Sequence, residues 1–202
     1  MIKEILPNIY SWSEFSEEKQ LNFNGYLIIG EEESVIIDPP FLREDDELKY
    51  LIAQHSSCPL RGILLTNIHH ERSSCLLKNQ YSVPVLVNER DAEGLETPAE
   101  YTFAGGDTLF CGMQIIQLDY QKSPGETALY MAEQKIIIVG DALIGKVPGQ
   151  VNMLPSEKYK DIAKAKAGLK ELLKYEFETL LVGDGESILK DAKEAVVKFL
   201  AI

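Results

Sequence analysis

Apolar and polar positions alternate along this chain in short blocks. Runs of four or five hydrophobic residues, bounded by Gly, Pro or charged turns, predict buried strands. Residues 26–29 (YLII) and 35–38 (VIID) flank a charged turn, 30–34 (GEEES), and predict a hairpin. Asp45 to Gln54 spaces Leu48, Leu51 and Ile52 at intervals of three and four, which predicts a helix that Pro59 stops. A buried strand, 63–66 (ILLT), runs into a polar stretch, 67–74 (NIHHERSS), and 84–88 (PVLVN) gives another strand. Gly105-Gly106-Asp107 introduces 108–110 (TLF), and Gly112 separates that strand from 113–119 (MQIIQLD). A polar loop, 120–127, leads to strands at 128–132 and 136–141 around the turn Glu133-Gln134-Lys135. Further on, Ile162, Ala165, Leu169, Leu172 and Leu173 form one helical stripe after a start signal at Pro155-Ser156. A strand at 179–183 follows. A last helix beginning at Ser187 places Ile188, Ala192, Ala195, Val196 and Phe199 on one face.

The segment 27–38 (LIIGEEESVIID) can be laid on 130–141 (YMAEQKIIIVGD) without gaps, strand on strand and Asp38 on Asp141. A second echo pairs 64–67 (LLTN) with 181–184 (LVGD). Two similar halves predict a pseudo-symmetric sandwich of two sheets with helices outside.

Composition narrows the function classes. The chain has 202 residues, 45% hydrophobic and 26% charged, with 32 acidic and 20 basic side chains and a formal charge of −12. Those values fit a folded chain with a substantial core and exclude disorder. The acidic balance repels phosphate backbones, so nucleic acid is not an expected partner. No apolar run is long enough for a bilayer, so no membrane association is expected, and the start MIKEILPNIYSW lacks a signal-peptide core, so the expected location is cytoplasmic. Cys58, Cys75 and Cys111 form no CxxC pair and read as isolated thiols.

Candidate chemistry gathers just after the buried strands. Asn67, His69, His70, Glu71 and Arg72 follow 63–66; Glu126 lies in 123–127 (SPGET); Asp141 and Asp184 each follow an apolar strand and a Gly. Strand ends are where side chains from distant parts of a layered α/β fold converge. The order of these landmarks resembles the metallo-beta-lactamase superfamily over nearly the whole chain. The family's opening hairpin is matched by Asn24 to Pro40. Its Thr-His-x-His-x-Asp-His stands here as Thr66-Asn67-Ile68-His69-His70-Glu71-Arg72. Its Pro-Gly-His-Thr is Pro124-Gly125-Glu126-Thr127, its Gly-Asp strand end is Gly140-Asp141, and Asp184 takes its last histidine position.

The resemblance implies an α/β fold in four αββα layers, spanning residues 1–202 as a single domain, with two metal ions in a cleft at the sheet edges. It also implies hydrolysis by a metal-bound hydroxide. Position by position, the first metal site would be Asn67, His69 and Glu126, and the second Glu71, Arg72 and Asp184, with Asp141 bridging. Four of the five motif histidines are replaced, and the chain holds only His55, His69 and His70. Zinc favours imidazole and thiolate, whereas guanidinium has no lone pair to give and a permanent charge. Arg72 is therefore expected to stand in for the second ion, pairing with Asp141, Asp184 or Glu71. Glu71, Glu126, Asp141 and Asp184 carry −4 if ionised and Arg72 returns +1, so a net charge of −3 must be offset by a cation, water or protonation.

Two functions follow as expectations. One is a degenerate member that has lost the di-zinc site and uses the old cleft, Asn67, His69, Glu71, Arg72, Glu126, Asp141 and Asp184, to bind a small molecule or a protein, with no resident metal. The other is a hydrolase of small esters or thioesters. It would use one divalent cation (Mn, Fe, Mg or weakly held Zn) on His69, Glu126, Asp141 and Asp184, or no metal. In its metal-free form His69 or Glu126 is the base and Arg72 stabilises the oxyanion. His70 is expected to be the outward or packing neighbour of His69 and not a ligand, His55 to close a helix, and Asp38 to cap the Pro39-Pro40 turn. Trp12, Phe15 and Phe23 read as core or cleft wall. A homodimer is compatible with all of this.

Overall fold

In the hairpin at the heart of the N-terminal half, side chains alternate strictly, yet both faces are apolar. Tyr26, Ile28, Val35 and Ile37 point one way, and Leu27, Ile29 and Ile36 the other. A strand with two apolar faces has to lie between two layers. The computed structural model describes residues 1–42 and 46–201 and supplies both layers. The first sheet runs β1 (Lys3–Leu6), β2 (Ile9–Ser16), β3 (Leu21–Ile29), β4 (Ser34–Ile37), β5 (Leu60–Leu64), β6 (Val85–Asn88) and β7 (Tyr101–Phe103) in that spatial order. The second sheet contains β8 (Thr108–Leu109), β9 (Met113–Gln117), β10 (Thr127–Met131), β11 (Ile136–Val139) and β12 (Thr179–Val182), ordered β12-β11-β10-β9-β8.

Three apolar layers hold these sheets. Between them, Tyr26, Val35, Leu64 and Leu86 of the first sheet meet Ile115, Leu129, Ile138 and Leu181 of the second. The outer face of the first sheet packs through Leu27, Ile36 and Ile63 on Leu48 of α1 (Asp46–Gln54) and Leu77 of α2 (Ser74–Tyr81). The outer face of the second packs through Ala128, Ile137 and Leu180 on the C-terminal helices. These are α3 (Ile162–Gly168), a 3₁₀ segment (Leu169–Lys174) and α4 (Ala192–Ala201). Full burial of each large aliphatic side chain contributes roughly 1.5–3 kcal/mol. The result is the expected αββα sandwich.

The sequence echo corresponds to repeated connectivity. β3 pairs antiparallel with β4 and β4 parallel with β5, while β10 pairs antiparallel with β11 and β11 parallel with β12. Asp38 and Asp141 therefore leave equivalent strands of the two halves, as do Asn67 and Asp184.

Several boundaries differ from the sequence pattern. β1 and β2 carry mixed polar and apolar residues, because much of their surface faces solvent, and so gave no strand signal. The expected α1 start, Asp45, lies outside the described residues. The stripe from Ile162 to Leu173 breaks at Gly168, where a Cβ would lie 2.7 Å from the Asp119 carbonyl, and continues as the 3₁₀ segment. Its start is set by Asp161, whose side chain accepts from Lys164 N at 3.0 Å, not by Pro155-Ser156. The last helix does not begin at Ser187. Ile188 instead exchanges backbone hydrogen bonds with Leu180, at 2.7 and 2.9 Å, and extends the edge of the second sheet. None of the described helices is long and apolar enough to cross a membrane.

Candidate functional site

The polar strand ends converge as the sequence order implies, and two glycines permit the approach. A Cβ on Gly140 would lie 2.2 Å from Thr66 Oγ1 and 2.5 Å from Asn67 Nδ2; one on Gly183 would lie 2.3 Å from His70 Cε1. Each glycine lets a neighbouring loop press against the strand end while the following residue, Asp141 or Asp184, reaches into the cleft. Asp38 and Arg72 hold left-handed backbone conformations, with φ of 47° and 36°. Non-glycine residues keep such angles only where surrounding contacts fix them.

His70 sits buried at the centre, which overturns the outward alternative and leaves the packing one. It is buried, with Nδ1 2.7 Å from Asp38 Oδ2 and Nε2 3.7 Å from Asp141 Oδ1. The first contact is a hydrogen bond and the second an ion-pair distance without one. The reversal arises because Ile68–His70 forms a 3₁₀ turn, so simple alternation fails there. Burial disfavours the imidazolium, but the two carboxylates outweigh it and raise the His70 pKa to about 10. Asp38 does more than cap its turn. It accepts from Thr66 N at 2.8 Å, from Thr66 Oγ1 at 2.6 Å and from His70.

Arg72 reaches Asp184, with Nη2 2.7 Å from Oδ1, and also donates to the Asn24 carbonyl at 3.2 Å. Its guanidinium lies over the Phe23 ring, 4.7 Å from the centroid, so Phe23 is cleft wall. Trp12 is core, and Phe15 is largely exposed. Asp141 takes a different cation, Lys122, whose Nζ lies 2.6 Å from Oδ2. Burial opposes ionisation of Asp141, but His70 and Lys122 hold its carboxyl well below the usual range. Burial pushes Asp184 upward despite His70 and Arg72.

Glu126 is fully buried. Its Oε1 accepts from Asn67 Nδ2 at 3.2 Å and from Ala142 N at 3.1 Å, while Oε2 has no partner. Burial, reinforced by the charge on Asp141, pushes the Glu126 carboxyl well above the usual carboxylate range. Asn67 caps the turn that carries His70, accepting from His69 N at 2.8 Å. His69 itself is exposed, and partial desolvation followed by the Lys122 charge lowers its pKa. Glu71 does not enter the cleft. Both its oxygens turn to the loop after β6, accepting from Glu96 N at 2.8 Å and Thr97 N at 2.7 Å.

The charge balance therefore differs from the expected −3. Glu71 leaves the cleft, burial disfavours the charge on Glu126, and Lys122 and His70 join Arg72 against Asp38, Asp141 and Asp184. Asp91, which also gave no signal, ties the site's loops together. It accepts from Ile68 N at 3.1 Å, from Gly125 N at 2.7 Å and from the Ser123 hydroxyl.

A family profile described as the metallo-beta-lactamase superfamily matches residues 2–202, and the chain belongs to that superfamily. Among solved structures, it is similar to a metallo-beta-lactamase from Pontibacter korlensis, at 18% identity, TM-score 0.78, covering 100% of this chain and 97% of that one. It is also similar to DIM-1 metallo-beta-lactamase exposed to ceftazidime, at 18% identity, TM-score 0.76, covering 98% and 97%. A third is FIM-1 from Pseudomonas aeruginosa in its mono-zinc form, at 14% identity, TM-score 0.73, covering 100% and 94%. At such identities the likeness carries the fold alone. No curated protein matches the chain.

The superfamily usually binds zinc. Among the described residues, the group that could hold an ion is His70, Asp141 and Asp184, whose ligand atoms lie within 4.8 Å of one another, rather than a histidine-rich di-zinc set. His69 and Glu126, expected alongside Asp141 and Asp184, are not in that group. As arranged, Lys122 holds Asp141, Arg72 holds Asp184, and a protonated His70 offers no lone pair. Binding an ion there requires breaking two ion pairs and releasing a proton. The donor set does not fit two zinc ions. The described thiols, Cys58, Cys75 and Cys111, are free, and burial of Cys111 with Glu33 nearby raises its pKa to about 11, away from reactivity.

Proposed function

We propose that this chain is a non-hydrolytic member of its superfamily, in which side-chain cations occupy the carboxylates that metals would use, and that the cleft binds a ligand instead of cleaving one. The observation that carries this reading is the pairing of Lys122 with Asp141 and Arg72 with Asp184, at 2.6 and 2.7 Å. A cation fixed on each carboxylate raises the cost of a second positive charge beside it. The metal-free hydrolase is weaker on the same grounds. Burial disfavours the carboxylate form that a base at Glu126 would need, and Arg72 is already committed to Asp184 and Phe23.

Metal analysis of chain purified without added metal tests the proposal: it predicts well under one equivalent of zinc, iron or manganese per chain. A stoichiometric ion overturns it. An ester and thioester panel adds a second check, with equal background rates expected for wild type, His69→Ala and Asp141→Asn. A second reading, a single-ion hydrolase, draws on the closeness of His70, Asp141 and Asp184. It predicts a stoichiometric ion that Asp141→Asn removes together with ester turnover.

A further inference from the structure

Beside Lys122, the loop 120–124 and the segment 157–164 line a cavity of about 780 Å³. That is a size that small-molecule sites commonly have. Its walls combine two kinds of surface. Tyr120 and Tyr159 supply flat apolar faces, and Lys122, Lys158, Lys160 and Lys164 supply positive charge. With Lys122 already paired to Asp141, three lysines stand against two acids there, Glu157 and Asp161, on a chain whose net charge is −12.

The lysine charges are only partly compensated. Asp161 spends one oxygen on Lys164 N as the cap of α3, and its other oxygen lies 3.5 Å from Lys164 Nζ. Lys158 and Lys160 are exposed and have no carboxylate within 4.0 Å among the described residues. The aromatic walls are held in different ways. Tyr159 is buried and its hydroxyl accepts from Leu154 N at 3.1 Å, which fixes the ring. Tyr120 is 62% exposed and lies under Lys164 Nζ at 5.8 Å. Lysines around a fixed ring and an exposed ring suit a ligand with a flat body and a negative group.

We infer that this cavity binds a small anion carrying an aromatic or similarly flat apolar body, its phosphate, carboxylate or sulfonate held by Lys158 and Lys160. The inference deepens the binding role proposed above and rests on it, since Lys122 joins the cavity to the ion-paired centre.

The probe is phenyl phosphate, titrated into isotope-labelled full-length chain and followed by backbone amide shifts. The expected result is saturable shifts confined to residues 120–124 and 154–164. Inorganic phosphate and benzyl alcohol should each bind at least about tenfold more weakly, since each lacks half of the recognition. The double variant Lys158→Glu/Lys160→Glu should also weaken phenyl phosphate at least about tenfold, and added salt should weaken the wild type. Both lysines are exposed, so the variant should keep the wild-type spectrum elsewhere. Absence of saturable binding, shifts elsewhere, or equal affinity in the double variant overturns the inference. Metal content measured on the same sample separates the two proposals. Probe binding by a metal-loaded chain sinks only the non-hydrolytic reading, and a metal-free chain that ignores the probe sinks only this one.

Discussion

Lys122 Nζ lies 2.6 Å from Asp141 Oδ2, and the neighbouring strand end repeats the arrangement with Arg72 on Asp184. β11 and β12 are adjacent and parallel, so their terminal Gly-Asp pairs lie side by side and would place two anions at one edge. Each receives its own cation from a different loop. Lys122→Met should remove one of them and leave the buried Asp141 dependent on His70. We expect a loss of about 2–3 kcal/mol, read as a lower urea midpoint with unchanged slope. An unchanged midpoint would show that the pair contributes nothing.

Restoring imidazoles should restore metal binding. In Asn67→His/Arg72→His/Glu126→His/Asp184→His, both members of the Arg72–Asp184 pair are replaced and four zinc-compatible ligands return beside His69 and Asp141. Calorimetry should detect zinc binding in this variant and little in wild type under equal conditions. Equal zinc affinity in both would mean that the substitutions did not remove the site.

The His70 pKa is raised from 6.5 unfolded to about 10 folded, so the folded chain holds the proton more tightly. That stabilisation is complete below about pH 6.5 and is lost as pH rises toward 10. Its size is on the order of several kcal/mol. Urea midpoints measured between pH 6 and pH 10 should therefore fall with pH, and His70→Gln should flatten much of that fall while lowering stability at pH 6. A wild-type curve without alkaline loss would contradict a charged His70.

Glu126 gives a second slope in the same direction but in a lower window. Its folded pKa lies above the ordinary 4.5, so its contribution is complete below about pH 4.5 and declines above it as the unfolded chain ionises. Glu126→Gln should keep the neutral shape and remove this decline. The variant should match wild type to within about 1 kcal/mol near pH 4.5 and gain on it at pH 7. A variant less stable at pH 7 than at pH 4.5, relative to wild type, would show that Glu126 is ionised.

Much of the architecture was legible because the central strands are buried on both faces and read as apolar runs, as at 26–29, 63–66 and 136–139. The Gly-Asp strand ends were equally plain, since only glycine admits His70 and Asn67 so near the backbone. What escaped was what sequence distance hides. Lys122 is an ordinary lysine in a polar loop until the fold places it on Asp141. Asp91 lies 34 residues from Gly125, one of the backbone groups it binds. Glu71 occupied a ligand position in the motif, yet the loop at Glu96 and Thr97 offered it two amide donors. The inversion of His69 and His70 came from a single 3₁₀ turn, which alternation along a loop does not register.

The guanidinium of Arg72 and the ammonium of Lys122 are joined to the chain by covalent bonds. They cannot be stripped by a chelator, lost by dilution or exchanged for a competing ion. A cleft balanced in this way has the same charge in an ion-starved compartment as in an ion-rich one. On the non-hydrolytic reading, its assembly needs no delivery step, and depletion of the surroundings cannot switch it off.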